Sequence, residues 1–325
     1  MHGFVIARQH PHTVSGGTAK EGQSGLDSVV AAPILSSLKI GDDAMRLANG
    51  FLAAFGAAAW FGLASGADAQ ETPPVSQCMA IAQALPSSTF ARFDPAQAPV
   101  VTRAQAAGDP WTVRITYAGH STYLIDTPAG VRIATDFSGL YGATPTPRVV
   151  TMNKAHSSHY TNFPDPAIEH VLRGWNPDGG PADHDVVVDD VYVRNVATDI
   201  RSWGGGVEIA GNSIFIFEVA GLCIGHLGHL HHRLDDSHYT AIGRLDIVMV
   251  PIDGGLTLDH EGMSEITNRL FSSIVLPMHR FSTPVSTFLA RMGPEFVLDY
   301  RDEDHFEVSL RSLPKRPTII VLQGV

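Results

Sequence analysis

Charge is scarce in this chain, and what there is leans acidic: only 17% of the 325 residues are Asp, Glu, Lys or Arg, and the net charge is −11. With no run of Lys or Arg, the chain lacks the basic surface that phosphate backbones require, so nucleic acid is not an expected partner and a small molecule is. Cysteine is nearly absent, and the two present, Cys78 and Cys223, allow one pairing at most. No internal repeat is present, and 31 glycines and 21 prolines fall without a period, which excludes a solenoid or coiled coil and fits many turns between short elements. The Gly-x-Ser-x-Gly elbow of serine hydrolases is also missing, which removes one rival mechanism.

What is abundant is apolar residues, at 44%, enough for a large α/β core. Residues 1–44 are polar and without periodicity, as expected of a disordered or untranslated extension. Met45-Arg46 then precedes an uncharged run from Leu47 to Ala67 that closes in Ala67-Asp-Ala69. This order of basic, apolar and small residues is that of a secretory signal peptide; a membrane anchor is the competing reading of the same run. Cleavage before Gln70 would place the protein in the periplasm or outside the cell, with no membrane span left. An oxidising compartment permits a Cys78–Cys223 disulfide, but no spacing demands one, and a buried free Cys223 is the preferred expectation.

Four histidines within seven residues, His226, His229, His231 and His232, follow the apolar runs Ser213 to Val219 and Leu222 to Ile224. The runs have the β-branched and aromatic density of a buried strand pair, so the imidazoles gather where strands end. Neutral imidazole is the commonest metal ligand, and several in one turn suit a divalent transition metal, zinc foremost. Strands are expected at Thr112–Tyr117, Ser121–Asp126, Val131–Thr135, Arg148–Met152, Asp185–Val188, Val191–Val196, Asp246–Pro251 and Ser273–Met278. Helices are expected at Val75–Leu85, Pro164–Trp175, Asp235–Gly243, Leu258–Leu270 and Val285–Met292. Strands first, then strands alternating with helices, point to stacked sheets with helices outside. The expected organisation is an N-terminal segment over residues 70–110 and one domain over 111–325.

Four stretches resemble the metallo-β-lactamase-fold hydrolases, especially the branch that includes ascorbate-phosphate lactonases. They are Ile115-Thr-Tyr-Ala-Gly-His-Ser-Thr-Tyr-Leu-Ile125 with Thr135-Asp136, the strands from Val193 to Phe217, the turn His226-Leu-Gly-His229, and Pro277-Met-His279. The resemblance implies an α/β fold, an αββα sandwich of two mixed sheets with metal at the strand ends. Against the family motif His-x-His-x-Asp-His this chain has Lys154, His156, Ser158 and His159. The family's next histidine falls near Ile200, beside Asp199, and its bridging Asp is His229. The surviving set, His156, His159, His229 and His279, implies one ion rather than two.

Around these ligands, Asp136 and His120 are expected to orient imidazoles; His226, His231 and His232 either extend the site or are solvated, with His226 first among them to face inward. Asp253 is either a further orienting group or a turn former, and Lys154 either steadies an anionic substrate or developing oxyanion or is a surface charge. Lys154 and Asp136 are the candidate catalytic side chains. The function so implied is metal-dependent hydrolysis of a lactone, ester or phosphoester; the alternative is a periplasmic metal-binding protein without turnover.

Overall fold

A computed structural model describes residues 75–79, 110–202 and 204–325. The expected signal peptide, the extension before it and most of the 70–110 segment lie outside these residues. Among the described residues fourteen strands form two sheets, one ordered β13-β1-β2-β3-β4-β5 and the other β12-β14-β11-β10-β9-β8-β7-β6. The first comprises β1 (Val113–Gly119), β2 (Thr122–Asp126), β3 (Arg132–Ala134), β4 (Val149–Met152), β5 (His170–Arg173) and β13 (His305–Val308). The second comprises β6 (Asp185–Val188), β7 (Val191–Arg201), β8 (Val207–Val219), β9 (Leu222–His226), β10 (Ile247–Pro251), β11 (Ile274–Met278), β12 (Val297–Tyr300) and β14 (Thr318–Val321).

Alternation along β8 shows why the sheets stack. Phe215 and Phe217 point into the core shared with β1, β2 and β3, while Ile214 and Ile216 point the other way, and all four are fully buried. Burying such a side chain contributes roughly 1.5–3 kcal/mol, so this one strand ties together two apolar layers. The second layer is covered by α1 (Asp236–Ile242), α2 (His260–Leu270) and α3 (Val285–Leu289), which bring Ile242, Met263, Ile266 and Phe288 against it. The outer face of the first sheet buries Leu124, Val150 and Met152 under the loop residues Phe137 and Ile168, with no helix among the described residues there. The αββα sandwich is therefore thin on that side.

The segment from Pro164 to Trp175 is not the expected helix. His170–Arg173 instead forms β5, parallel to β4, because the open edge of β4 supplies a ladder that a short segment between Pro166 and Gly174 cannot match with its own helical bonds. Glu218, near the end of β8, is buried against Arg194 at 3.0 Å. Its carboxylate also accepts from Ser76 Oγ at 2.5 Å and from the Gln77 N–H at 2.8 Å. Those contacts pin residues 75–79, a turn where the start of a helix was expected, beside the second sheet. Cys78 is thereby brought to Cys223, and the two form a disulfide with Cα atoms 5.9 Å apart. Cys223 is thus not the free buried thiol expected, because the partner is delivered by hydrogen bonds to a residue 140 positions away, which no spacing reveals.

Candidate metal centre

Parallel pairing of β9, β10 and β11 sends their carboxyl ends to one edge of the second sheet, and β3 and β4 are likewise parallel. Residues following those strands converge there: Asp136 after β3, His156 and His159 after β4, His229 after β9, Asp253 after β10 and His279 after β11. The β1–β2 turn adds His120. Open α/β sheets place ligands at such carboxyl ends. His120, Asp136 and His279 all have positive φ, at 54°, 44° and 50°. For non-glycine residues this costs roughly 1–2 kcal/mol each, which the surrounding packing must offset. Gly228 has φ 61°, and a Cβ there would meet Asn153 Nδ2 at 2.4 Å, so the tight turn before His229 requires glycine.

The four side chains His156, His159, His229 and His279 each present one nitrogen, and these atoms all lie within 4.8 Å of one another. His159 Nδ1–H donates to Asp136 Oδ2 at 2.8 Å, and His279 Nδ1–H donates to Asp253 Oδ2 at 3.0 Å. Each carboxylate fixes the proton on Nδ1 and leaves the Nε2 lone pair inward. Both Nε2 atoms are buried without a hydrogen-bond partner. Buried lone pairs of this kind are rare and call for an explanation. A divalent ion supplies one: nitrogens around a tetrahedral zinc at about 2.0–2.1 Å stand roughly 3.3 Å apart, a spacing this cluster accommodates.

Burial favours the neutral form of His120, His156, His159 and His229. Burial, reinforced by neighbouring histidines, lowers His120 from 6.5 to about 3 and His156 to about 4. Burial also pushes His159 down and His229 well down. Burial alone raises the Asp136 carboxyl, but His226, His159 and a hydrogen bond from Asn153 outweigh it and hold the group below its usual range. Asp253 likewise ends below its usual range, burial being outweighed by hydrogen bonds from His279, Thr257 and the Gly255 N–H. Anionic supports around neutral donors are the state a metal ion needs.

Residues 114–279 match the family described as the beta-lactamase superfamily domain. The chain belongs to this superfamily. Among solved structures it is similar to a protein of Thermotoga maritima described as a zinc-dependent hydrolase of the metallo-β-lactamase superfamily, at 24% identity over 65% of this chain and 98% of that one, TM-score 0.45. A protein of Parabacteroides distasonis described as a metal-dependent hydrolase is similar at 14% identity over 55% and 87%, TM-score 0.44. A metallo hydrolase of Ignicoccus hospitalis is similar at 22% identity over 52% and 82%, TM-score 0.38. No curated protein matches the chain significantly.

Within this superfamily fold the other candidate residues take definite places. Asp136 and Asp253 both orient imidazoles, and Asp253 Oδ1 also accepts from the Gly255 and Thr257 N–H groups at 2.9 and 3.0 Å, so the two roles open to it coexist. Asp136 is fully buried behind His159, a positioning group rather than one that touches substrate. His226 faces inward as expected, but its Nε2–H donates to Ser121 O at 2.8 Å and its Nδ1 accepts from the Gly228 N–H at 3.1 Å. It therefore braces the β1–β2 turn and has no nitrogen to spare. Lys154 pairs with Glu208 on an exposed surface, which lends no support to the oxyanion role. Ile200 is buried, and Asp199 accepts from the Ala210 N–H at 2.9 Å, so β7 sends no ligand to the centre.

Three further side chains take part, and of these the sequence marked only His231, a turn histidine, as able to extend the site. Ser158, in the place of a family metal ligand, bridges His156 Nδ1 at 2.7 Å and His120 Nε2 at 3.0 Å. Asn153 holds Asp136 Oδ1 at 2.7 Å and so supports His159 at one remove. His231 is buried against His229, its Nε2 at 2.6 Å from His229 Nδ1. Only their position beside ligand candidates hinted at Ser158 and Asn153, and small polar residues beside histidines are too common to single out.

Proposed function

We propose that the protein is an exported metal-dependent hydrolase of a small-molecule lactone, ester or phosphoester, akin to the lactonase branch that its sequence resembles. One observation carries the reading: two buried, unpartnered Nε2 lone pairs, each backed by a carboxylate, face one centre shared with two further imidazoles. One divalent ion, zinc foremost, binds at the centre that His156, His159, His229 and His279 surround. Such an ion supplies Lewis acidity toward a carbonyl or phosphoryl oxygen and makes water available as a nucleophile near pH 7. Asp136 and Asp253 hold His159 and His279 in register, and Ser158 does so for His156. Beside the cluster a pocket of about 270 Å³, lined by His156, His229, His231, Arg201, Ala155 and Leu256, offers room for a small, partly apolar substrate. The Cys78–Cys223 disulfide supports export, since such bonds persist in oxidising compartments.

The test is turnover of a panel of lactones, carboxylic esters and phosphoesters by the purified protein. Activity should disappear on chelation and return with one metal. A metal-binding protein that turns over no member of the panel would favour the binding-only alternative. Mass spectrometry of the exported chain should find an N-terminus at or near Gln70.

A further inference from the structure

The backbone N–H of Arg201 donates to His231 Nδ1 at 2.5 Å. A backbone amide can only donate, so His231 Nδ1 must be bare, and a neutral His231 carries its proton on Nε2. That Nε2–H lies 2.6 Å from His229 Nδ1, which therefore accepts, and the proton of a neutral His229 is left on Nε2. His229 Nε2 in turn stands 3.0 Å from His156 Nε2, so His156 accepts there and keeps its own proton on Nδ1. His156 Nδ1–H then donates to Ser158 Oγ, and the Ser158 hydroxyl donates to His120 Nε2. One amide thus orders five hydrogen bonds in a single direction.

Resting on the metal-centre reading above, we infer that His231 is a positioning residue that holds the proton of His229 on Nε2, so that the centre offers three lone pairs and one N–H. The lone pairs are those of His156, His159 and His279. His229, which lines the pocket, presents an N–H that meets His156 Nε2 in the metal-free protein and, once His156 gives that lone pair to the ion, is released to an oxygen of a bound substrate that carries or develops negative charge. Turning His229 into a fourth neutral ligand requires its proton on Nδ1, hence a bare His231 Nε2 and a proton on His231 Nδ1. That proton would face the Arg201 N–H across 2.5 Å, two donors in contact.

Two variants of similar reach separate the possibilities. His231→Gln can still donate toward His229 Nδ1 and should preserve its tautomer. His231→Glu can only accept there, which moves the His229 proton to Nδ1 and frees the Nε2 lone pair. The first measurement needs no metal: nitrogen-15 spectra of the histidine-labelled, metal-free protein should show His229 Nε2 protonated and Nδ1 bare in wild type and His231→Gln, with the reverse in His231→Glu. Competition against a chelator should then find zinc bound about tenfold more tightly by His231→Glu than by His231→Gln. Zinc-edge X-ray absorption should count three imidazoles in wild type and four in His231→Glu. A wild-type His229 protonated on Nδ1, or four imidazoles on wild-type zinc, would overturn the inference. If His231→Glu does not fold, the wild-type spectrum and imidazole count still decide. Failure to take up zinc at all sinks the metal centre instead, and the metal-free spectrum judges the tautomer separately.

Discussion

The four imidazoles of the centre divide into two pairs by what stands behind them. His159 and His279 are backed by buried carboxylates, while His156 and His229 are backed by neutral groups, Ser158 and His231. A carboxylate stabilises positive charge on the ring it holds and so strengthens that ring as a ligand, whereas a hydroxyl or a second imidazole only sets direction. The carboxylate pair should therefore dominate metal affinity and the neutral pair should govern what the bound ion meets.

Removing a ring from the stronger pair tests this most severely. His279→Ala or His159→Ala should weaken zinc binding well beyond the roughly 100-fold limit of losses behind a ligand, as read by chelator competition. His229→Ala should cost clearly less; an equal loss would erase the division. Next in size, Asp253→Asn can present an amide N–H to His279 Nδ1 and reverse its tautomer, for an expected loss of roughly 10–100-fold. Ser158→Ala, behind the neutral pair, should lose at most about tenfold, and a loss matching Asp253→Asn would show that charge behind the ring is not what matters.

Acidity sharpens the same contrast. Protons compete for a ligand only below its own pKa, and burial keeps His156 neutral down to about 4. The contribution of His156 to zinc affinity should therefore stay nearly level from pH 7 to about 5 and decline only below that. The metal-free fold behaves differently. An unfolded chain binds protons from 6.5 downward at histidines that the folded chain keeps neutral to about 4 in the case of His156 and His231, so unfolding stability should fall as pH drops through that window. Denaturant titrations at stepped pH would show it, and flat stability across the window would contradict the depressed values. The smallest effect belongs to Lys154→Ala, which removes an exposed pair with Glu208 and should leave metal affinity and turnover within about twofold.

Much of this protein is local and was legible from residues alone. Alternation and β-branching locate β1, β2, β4, β8, β10 and β11 within a residue or two at most boundaries, since a strand buried on one or both faces must carry that pattern. A superfamily resemblance carried by short motifs at strand ends likewise needs only sequence order, and it named the four histidines that the fold brings within 4.8 Å. Tertiary structure alone decided the rest. The edge of β4 turned His170–Arg173 from expected helix to strand, and Glu218 delivered Cys78 to Cys223 across the chain. The direction of a hydrogen bond depends on which atom lies opposite. So Arg201, through its backbone rather than its side chain, came to fix the proton on an imidazole two rings away, a role that no residue identity could have disclosed.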